Sequence, residues 1–186
     1  MAVPERRCTV LAYIGLGSNL DDPRAQLCRA IHELAGLPGC TLRARSSLYA
    51  TAPLGPVAQP EFVNAVAVLT TKLTPLALLG ALQGIERDHG RVRDGARWGP
   101  RTLDLDLLLY GDWQLQLPGL TLPHPEMARR AFVLVPLAEI APAGLLIPGQ
   151  GDLAGLLAAR DDRDGIRPLP DGAPTGAAGP SPLSSR

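Results

Sequence analysis

Aromatic side chains are scarce in this sequence, seven among 186 residues. Lysine is scarcer still, since Lys72 stands alone beside seventeen arginines. That imbalance reads as a compositional bias of the chain. The three cysteines, Cys8, Cys28 and Cys40, are odd in number and lack metal-ligand spacing, which excludes a disulfide scaffold or a cysteine metal site and suits reduced thiols in the cytosol. Net charge is zero at neutral pH, so the whole molecule is not steered toward nucleic acid or an anionic membrane. No apolar run approaches the ~20 residues that a membrane helix needs, and the N-terminus lacks the apolar stretch of a signal peptide. A cytoplasmic protein is expected. Two phosphate motifs are also missing: Gly15-Leu-Gly-Ser-Asn19 has neither the lysine of a P-loop nor the third glycine of a dinucleotide turn. Phosphate handling must therefore come from side chains and metal.

What is present is an ordinary folding composition, 46% apolar and 19% charged, at a length that fits one domain. Thr9 to Leu16 reads as a strand ended by Gly15 and Gly17. Asp22-Pro23 is a cap followed by a first-turn proline, and Leu27, Ala30, Ile31 and Leu34 keep helical spacing until Gly36 and Pro38. Leu42 to Thr51 and Phe62 to Thr71 read as strands, separated by a proline-rich loop too long for a tight hairpin. Thr74-Pro75 opens a second helix, carried by Leu78, Leu79, Leu82, Ile85 and Glu86 to about His89. Thr102 to Tyr110 is the clearest strand. The order is βαββαβ, the ferredoxin-like arrangement, with both helices on one face of an antiparallel sheet, an α+β fold. Met127 to Ala141 and Leu153 to Ala159 are expected as further helices. The domain is expected over 9–168, with 169–186 a disordered tail of Pro, Gly, Ala and Ser.

The chemistry concentrates between Arg91 and Tyr110. Side chains alternate along a strand, so Leu103, Leu105, Leu107 and Leu109 are expected to face the core, with Asp104 and Asp106 side by side on the other face. Their Cα atoms would lie roughly 6.5–7 Å apart, close enough for the carboxylates to bridge or share metal ions. The bland alternative is a solvated face of alternating acids, weakened because two like charges on one strand repel. Arg91, Arg93, Arg97 and Arg101 arrive just before, interleaved with Gly90, Gly95 and Gly99. Guanidinium forks on a glycine-rich loop suit phosphate oxygens, although one or two of these arginines could instead pair with Glu86, Asp88 or Asp94. His124, between two prolines, is pinned in an extended segment; it is either a donor to a phosphate or a plain surface histidine. Arg129 and Arg130 follow as anion ligands or surface charges. Phe62 and Asn64 share a strand face, where an aromatic ring and an amide could receive a flat heterocycle, although core packing is the simpler role for Phe62.

Together these segments resemble the 6-hydroxymethyl-7,8-dihydropterin pyrophosphokinase family of folate biosynthesis, from about Tyr13 to Pro142. The resemblance rests on Ala12-Tyr-Ile-Gly-Leu-Gly-Ser-Asn-Leu20, Pro53-Leu-Gly-Pro56 with Gln59-Pro60, Phe62-Val-Asn-Ala65 and Gly90-Arg-Val-Arg93. Leu122-Pro-His-Pro125 and Phe132 to Pro142 add to it, and Arg97-Trp-Gly-Pro-Arg-Thr-Leu-Asp-Leu-Asp106 is its most specific part.

The resemblance implies transfer of diphosphate from ATP to the pterin hydroxymethyl oxygen, releasing AMP. It implies two Mg2+ ions on Asp104 and Asp106, and Arg91 and Arg101 acting in the chemical step. It assigns nucleotide binding to Gln83, Glu86, Arg93, Arg97, Arg101, Leu107, Thr121, His124 and Arg130. The pterin pocket it implies is formed by Thr51, Leu54, Phe62, Asn64, Trp98 and Phe132, with Phe62 and Phe132 sandwiching the ring. It further implies a three-layer α/β/α fold. Asp94 and Gly119 depart from some relatives, which carry basic residues there; loop closure and ATP affinity are where such changes would tell. ATP and the pterin are the expected partners, with no nucleic acid, no membrane and a monomeric chain. Two rivals compete: a magnesium-dependent transferase acting on another heterocycle, and a non-catalytic ligand- or RNA-binding module. The latter is disfavoured by two aspartates on the candidate sheet face of a neutral chain.

Overall fold

The computed structural model describes residues 9–53, 59–91 and 99–170. Strand β1 (Val10–Ser18) runs two residues further than its apolar pattern, because Gly17 and Ser18 still pair with β4. Helix α1 (Pro23–Ala35) starts where the Asp22 carboxylate accepts the Ala25 N–H at 3.2 Å, with Pro23 in the first turn needing no partner. Strands β2 (Cys40–Arg45) and β3 (Tyr49–Thr51) replace the single expected strand. The break falls at Ser46, whose N–H donates to the Val66 carbonyl while its hydroxyl accepts the Val66 N–H at 2.9 Å. A side chain has taken over a ladder bond, and the chain steps out of register. Strand β4 (Phe62–Thr71) is the long central strand, and α2 (Pro75–Asp88) is capped by Thr74 on the Ala77 N–H.

Strand β5 (Asp104–Tyr110) follows, two residues shorter at its start than expected. The small hairpin β6 (Leu115–Leu117) and β7 (Leu120–Leu122) was not anticipated, nor were β8 (Leu146–Ile147) and β9 (Gly151–Asp152). The expected helix from Met127 begins as a 3-10 turn, breaks at Arg130 in extended conformation, and resumes as α3 (Ala131–Ile140). Helix α4 (Leu153–Ala158) and strand β10 (Ile166–Pro168) complete the described chain. The segment assigned to a tail from residue 169 is anchored at its start: the Leu169 N–H donates to the Leu48 carbonyl at 2.7 Å and Arg24 donates to the Pro170 carbonyl. Residues 171–186 lie outside the described residues.

The main sheet is antiparallel throughout, ordered β10-β3-β4-β1-β5, with β2 also on β4. Residues of alternate parity feed two apolar clusters. Ala12, Ile14 and Leu16 of β1, with Ala65, Ala67 and Leu69 of β4, meet Leu27 and Leu34 of α1 and Leu78 and Leu82 of α2. Tyr13, Val66 and Val68 meet Leu134 and Leu137 of α3. Among the described residues, no helix is long and apolar enough to cross a membrane.

One expectation is corrected in β5. Leu103, Leu105 and Leu107 join the α1/α2 cluster, but Leu109 lies with Leu108 in the α3 cluster. The cause is a bulge. Ile14 pairs with Leu107 and Tyr13 with Leu109, leaving Leu108 as the extra residue and inverting the alternation beyond it.

Candidate active site

The site grows out of the strand register. Gly15 lies opposite Asp106 and Gly17 opposite Asp104 across β1 and β5, while Gly17 lies opposite Asn64 across β1 and β4. Asn64, Gly17 and Asp104 thus form one row across three strands, with the amide and carboxylate positions ~10 Å apart at the usual strand spacing. The glycines put no side chain into that space. A Cβ on Gly17 would come within 3.1 Å of the Asn64 Oδ1. Above the row opens a cavity of about 260 Å³, walled by Thr51, Phe62, Asn64, Arg101, Asp104, Asp106, Arg130 and Phe132 among others. Inside it the Asn64 Nδ2 donates to the Thr51 Oγ1 at 2.7 Å, fixing which edge of the amide faces out. The Arg130 guanidinium lies 5.7 Å from the Phe132 ring centroid, a cation over an aromatic face.

The two aspartates live in different fields. Arg91 and Arg101 each take one oxygen of Asp104, Arg91 at 2.5 Å. Burial pushes this carboxyl up, but the Arg101 and Arg91 charges outweigh it and hold it below its ordinary 3.8. Asp106 has the His124 Nε2 at 4.0 Å and the Arg130 guanidinium at 3.9 Å from its Oδ2, with the Arg101 charge also acting on it. Burial first, and then the negative charge of Asp104, raise its carboxyl above 3.8. Two hard carboxylates that repel each other are a donor set that a divalent cation stabilises. Among the described residues no cluster of three or more metal-ligating side chains converges; magnesium commonly completes its shell with phosphate and water oxygens.

The remaining expected residues distribute as follows. Gln83, Glu86 and Arg91 line a second groove beside α2. Glu86 is buried; it accepts from Arg91 and from the Leu105 N–H at 2.9 Å, tying α2 to the aspartate strand. Thr121 is exposed on β7, outside the cavity, and the Leu107 side chain is buried in the α1/α2 cluster. His124 follows the cis Leu122-Pro123 bond, and its N–H donates to the Leu108 carbonyl at 2.9 Å. Leu54, Arg93, Arg97 and Trp98 lie outside the described residues, as does Asp94. Sequence reasoning missed Asn19. Its Oδ1 accepts the Arg101 N–H at 2.7 Å and its Nδ2 donates to the Gln59 Oε1 at 3.1 Å, joining two walls of the cavity. The motif Gly-Ser-Asn marked the end of β1, but nothing local announced partners 40 and 82 residues away.

Residues 13–142 match the family model for 7,8-dihydro-6-hydroxymethylpterin-pyrophosphokinase, or HPPK. The chain belongs to this family. A 2-amino-4-hydroxy-6-hydroxymethyldihydropteridine pyrophosphokinase of Pseudomonas aeruginosa is 54% identical over 158 residues, 85% of this chain and 96% of that protein. The Haemophilus influenzae enzyme of the same name is 52% identical over 139 residues, 75% of this chain and 86% of its own. Among solved structures, wild-type Plasmodium falciparum HPPK-DHPS with pterin and p-hydroxybenzoate matches at a TM-score of 0.67 and 14% identity, covering 88% of this chain and 47% of that one. At that identity the likeness speaks for the fold alone, and this chain spans less than half of the larger one. The chain is a pyrophosphokinase of folate biosynthesis: it moves the diphosphate of ATP onto 6-hydroxymethyl-7,8-dihydropterin.

Proposed function

We propose that the cavity over the Asn64–Gly17–Asp104 row is where both substrates meet, with the pterin at the Asn64 end and the ATP phosphates at the Asp104 end. The observation that supports this is the register, which aligns Asn64 with Asp104 across Gly17 and sets Asp106 beside them, under one cavity that Phe62 and Phe132 also line. Phe62 and Phe132 flank the pterin ring, and the Asn64 amide, held by Thr51, reads its edge. Asp104 and Asp106 would hold two magnesium ions, which when bound would neutralise phosphate charge and lower the cost of ionising the attacking hydroxyl.

The protein's own share of the chemistry is positioning and charge. The pterin oxygen forms a bond to the β-phosphorus as the bond from that phosphorus to the α,β-bridging oxygen breaks; the hydroxyl proton is released and AMP departs. Arg91 and Arg101 are already held against Asp104, so their guanidiniums sit where phosphate charge develops. His124 and Arg130 flank Asp106 and add donors for phosphate oxygens. Gln83 and Glu86 serve the nucleotide from α2, with Arg93, Arg97, Leu107 and Thr121 as further nucleotide positions, and Leu54 and Trp98 as further pterin positions. The frame is a ferredoxin-like βαββαβ unit in three layers. Supporting it, β2 and β3 act together as one edge, giving the order second-third-first-fourth for the core strands, with helix clusters on both sheet faces. The catalytic domain spans 9–168 and works as a cytoplasmic monomer.

Product analysis tests the reaction. With ATP, magnesium and 6-hydroxymethyl-7,8-dihydropterin, AMP and the pterin diphosphate are expected in equal amounts. Release of ADP or free diphosphate in place of AMP overturns the assignment.

A further inference from the structure

His89 is a buried polar residue capping the C-terminus of α2, and neither nucleotide nor pterin chemistry claims it. Its side chain is fully buried, yet its partners all come from another helix. The Nδ1 lies 2.6 Å from the Gln26 Oε1, the Nε2 lies 2.9 Å from the Glu33 Oε2, and the Arg29 Nε lies 3.1 Å from the same Nε2. Gln26, Arg29 and Glu33 stand at i, i+3 and i+7, one face of α1, so a single imidazole spans two turns of the neighbouring helix. Directly after His89 the chain turns through Gly90, at φ +73°, into Arg91. The Gly90 N–H donates to the Arg87 carbonyl and the Arg91 N–H to the Glu86 carbonyl. That closes the helix with a glycine cap, and the Arg91 side chain then reaches Glu86 and Asp104.

We propose that His89 is a positioning residue for the chemical step, setting the location of Arg91 by fastening the end of α2 to α1. The end of α2 is thus held from two sides: Glu86 bonds the Leu105 N–H on the aspartate strand, and three residues later His89 bonds α1. Without the second fastening, the final turn of α2 can fray, and the guanidinium that sits on Asp104 frays with it. A group misplaced by about 1 Å near reacting phosphates can cost as much as a hundredfold, so a modest loosening has a visible kinetic effect.

The inference rests on Arg91 acting in the reaction, so Arg91→Ala is measured alongside. His89→Ala is expected to lower kcat about tenfold while leaving the pterin KM within about twofold, because the pterin wall is on the other side of the cavity. His89→Gln is expected to recover kcat to within about threefold of wild type, since an amide can still donate to Glu33 or Gln26. Glu33→Ala, which removes one of the His89 partners on α1, is expected to lower kcat about threefold with the same unchanged pterin KM. If His89→Ala does not fold, His89→Gln and Glu33→Ala still decide: wild-type kcat in Glu33→Ala overturns the proposal. So does equal impairment of the alanine and glutamine variants, or a pterin KM that rises in step with the loss of kcat. If Arg91→Ala itself keeps wild-type kcat, the reading of Arg91 fails; if it loses kcat and His89→Ala does not, only the present inference fails.

Discussion

Replacing Asp106 by asparagine should make the substrate-free protein more stable and the enzyme nearly inactive. The two aspartates, roughly 7 Å apart by strand spacing, repel by about 2.4 kcal/mol at an effective dielectric of 20 and about 0.6 kcal/mol in water. The Asp106 side chain is 37% exposed, so the screened end applies, about 0.5–1 kcal/mol, partly offset by the distant His124 and Arg130. For a chain of this size that corresponds to a rise in Tm of about 1–3 °C in Asp106→Asn, read by calorimetry without magnesium. The same change should lower kcat/KM at least about a hundredfold, roughly 3 kcal/mol of transition-state stabilisation. It should also shrink the rise in Tm that magnesium with an unreactive ATP analogue gives the wild type.

Asp104→Asn should behave oppositely in stability. Arg91 and Arg101 lose the carboxylate they share, and stability falls by about 1–3 kcal/mol. The pH dependences follow from the directions of the shifts. The Asp104 carboxyl is lowered on folding, so its contribution is present above its ordinary 3.8 and is lost as pH falls through the lower native value. The Asp106 carboxyl is raised, so its contribution is present below 3.8 and is lost as pH rises through the higher native value. The stabilisation by Asp106→Asn should therefore vanish in acid and reach its full size at neutral pH. A drop in Tm for Asp106→Asn at neutral pH, or turnover and magnesium dependence that survive it, refutes the electrostatic account of the pair.

Two further changes test the frame of the site. Gly17→Ala places a methyl 3.1 Å from the Asn64 Oδ1 and should raise the pterin KM about fivefold, near 1 kcal/mol, with the ATP KM changed by less than about twofold in steady-state assays. Ser46→Ala leaves the buried Val66 N–H without its hydroxyl acceptor; urea unfolding should show a loss of about 1–3 kcal/mol while kcat stays at the wild-type value.

Much of this was legible because local chemistry and tertiary role coincide. Asp22-Pro23 and Thr74-Pro75 announce helix starts by capping alone, and both helices begin there. The alternation of Asp104 and Asp106 with leucine placed the carboxylates on one face, and Phe62 and Asn64 reached the same cavity. What escaped is what depends on distant partners. The hairpins at β6–β7 and β8–β9 are only two or three residues per strand, too short to show a period. Ser46 looks like any serine in a strand until Val66 arrives opposite it.

The bulge at Leu108 shows why pattern alone could not finish the site. A run of Leu-Leu-Leu at 107–109 satisfies either face of a sheet covered by helices on both sides, so hydrophobicity is silent about where alternation fails. Only β1 decides. Pairing through Gly15 and Gly17 keeps Asp106 and Asp104 in register, and the mismatch is deferred to Leu108, where an added leucine packs under α3 among Tyr13, Val66 and Leu134. Had the extra residue been Leu105, Asp106 would have turned into the α1/α2 core, where an unpaired carboxylate costs several kcal/mol. The bulge lies beyond the carboxylate row, so both aspartates keep their face and the inversion falls on leucines that either core accepts.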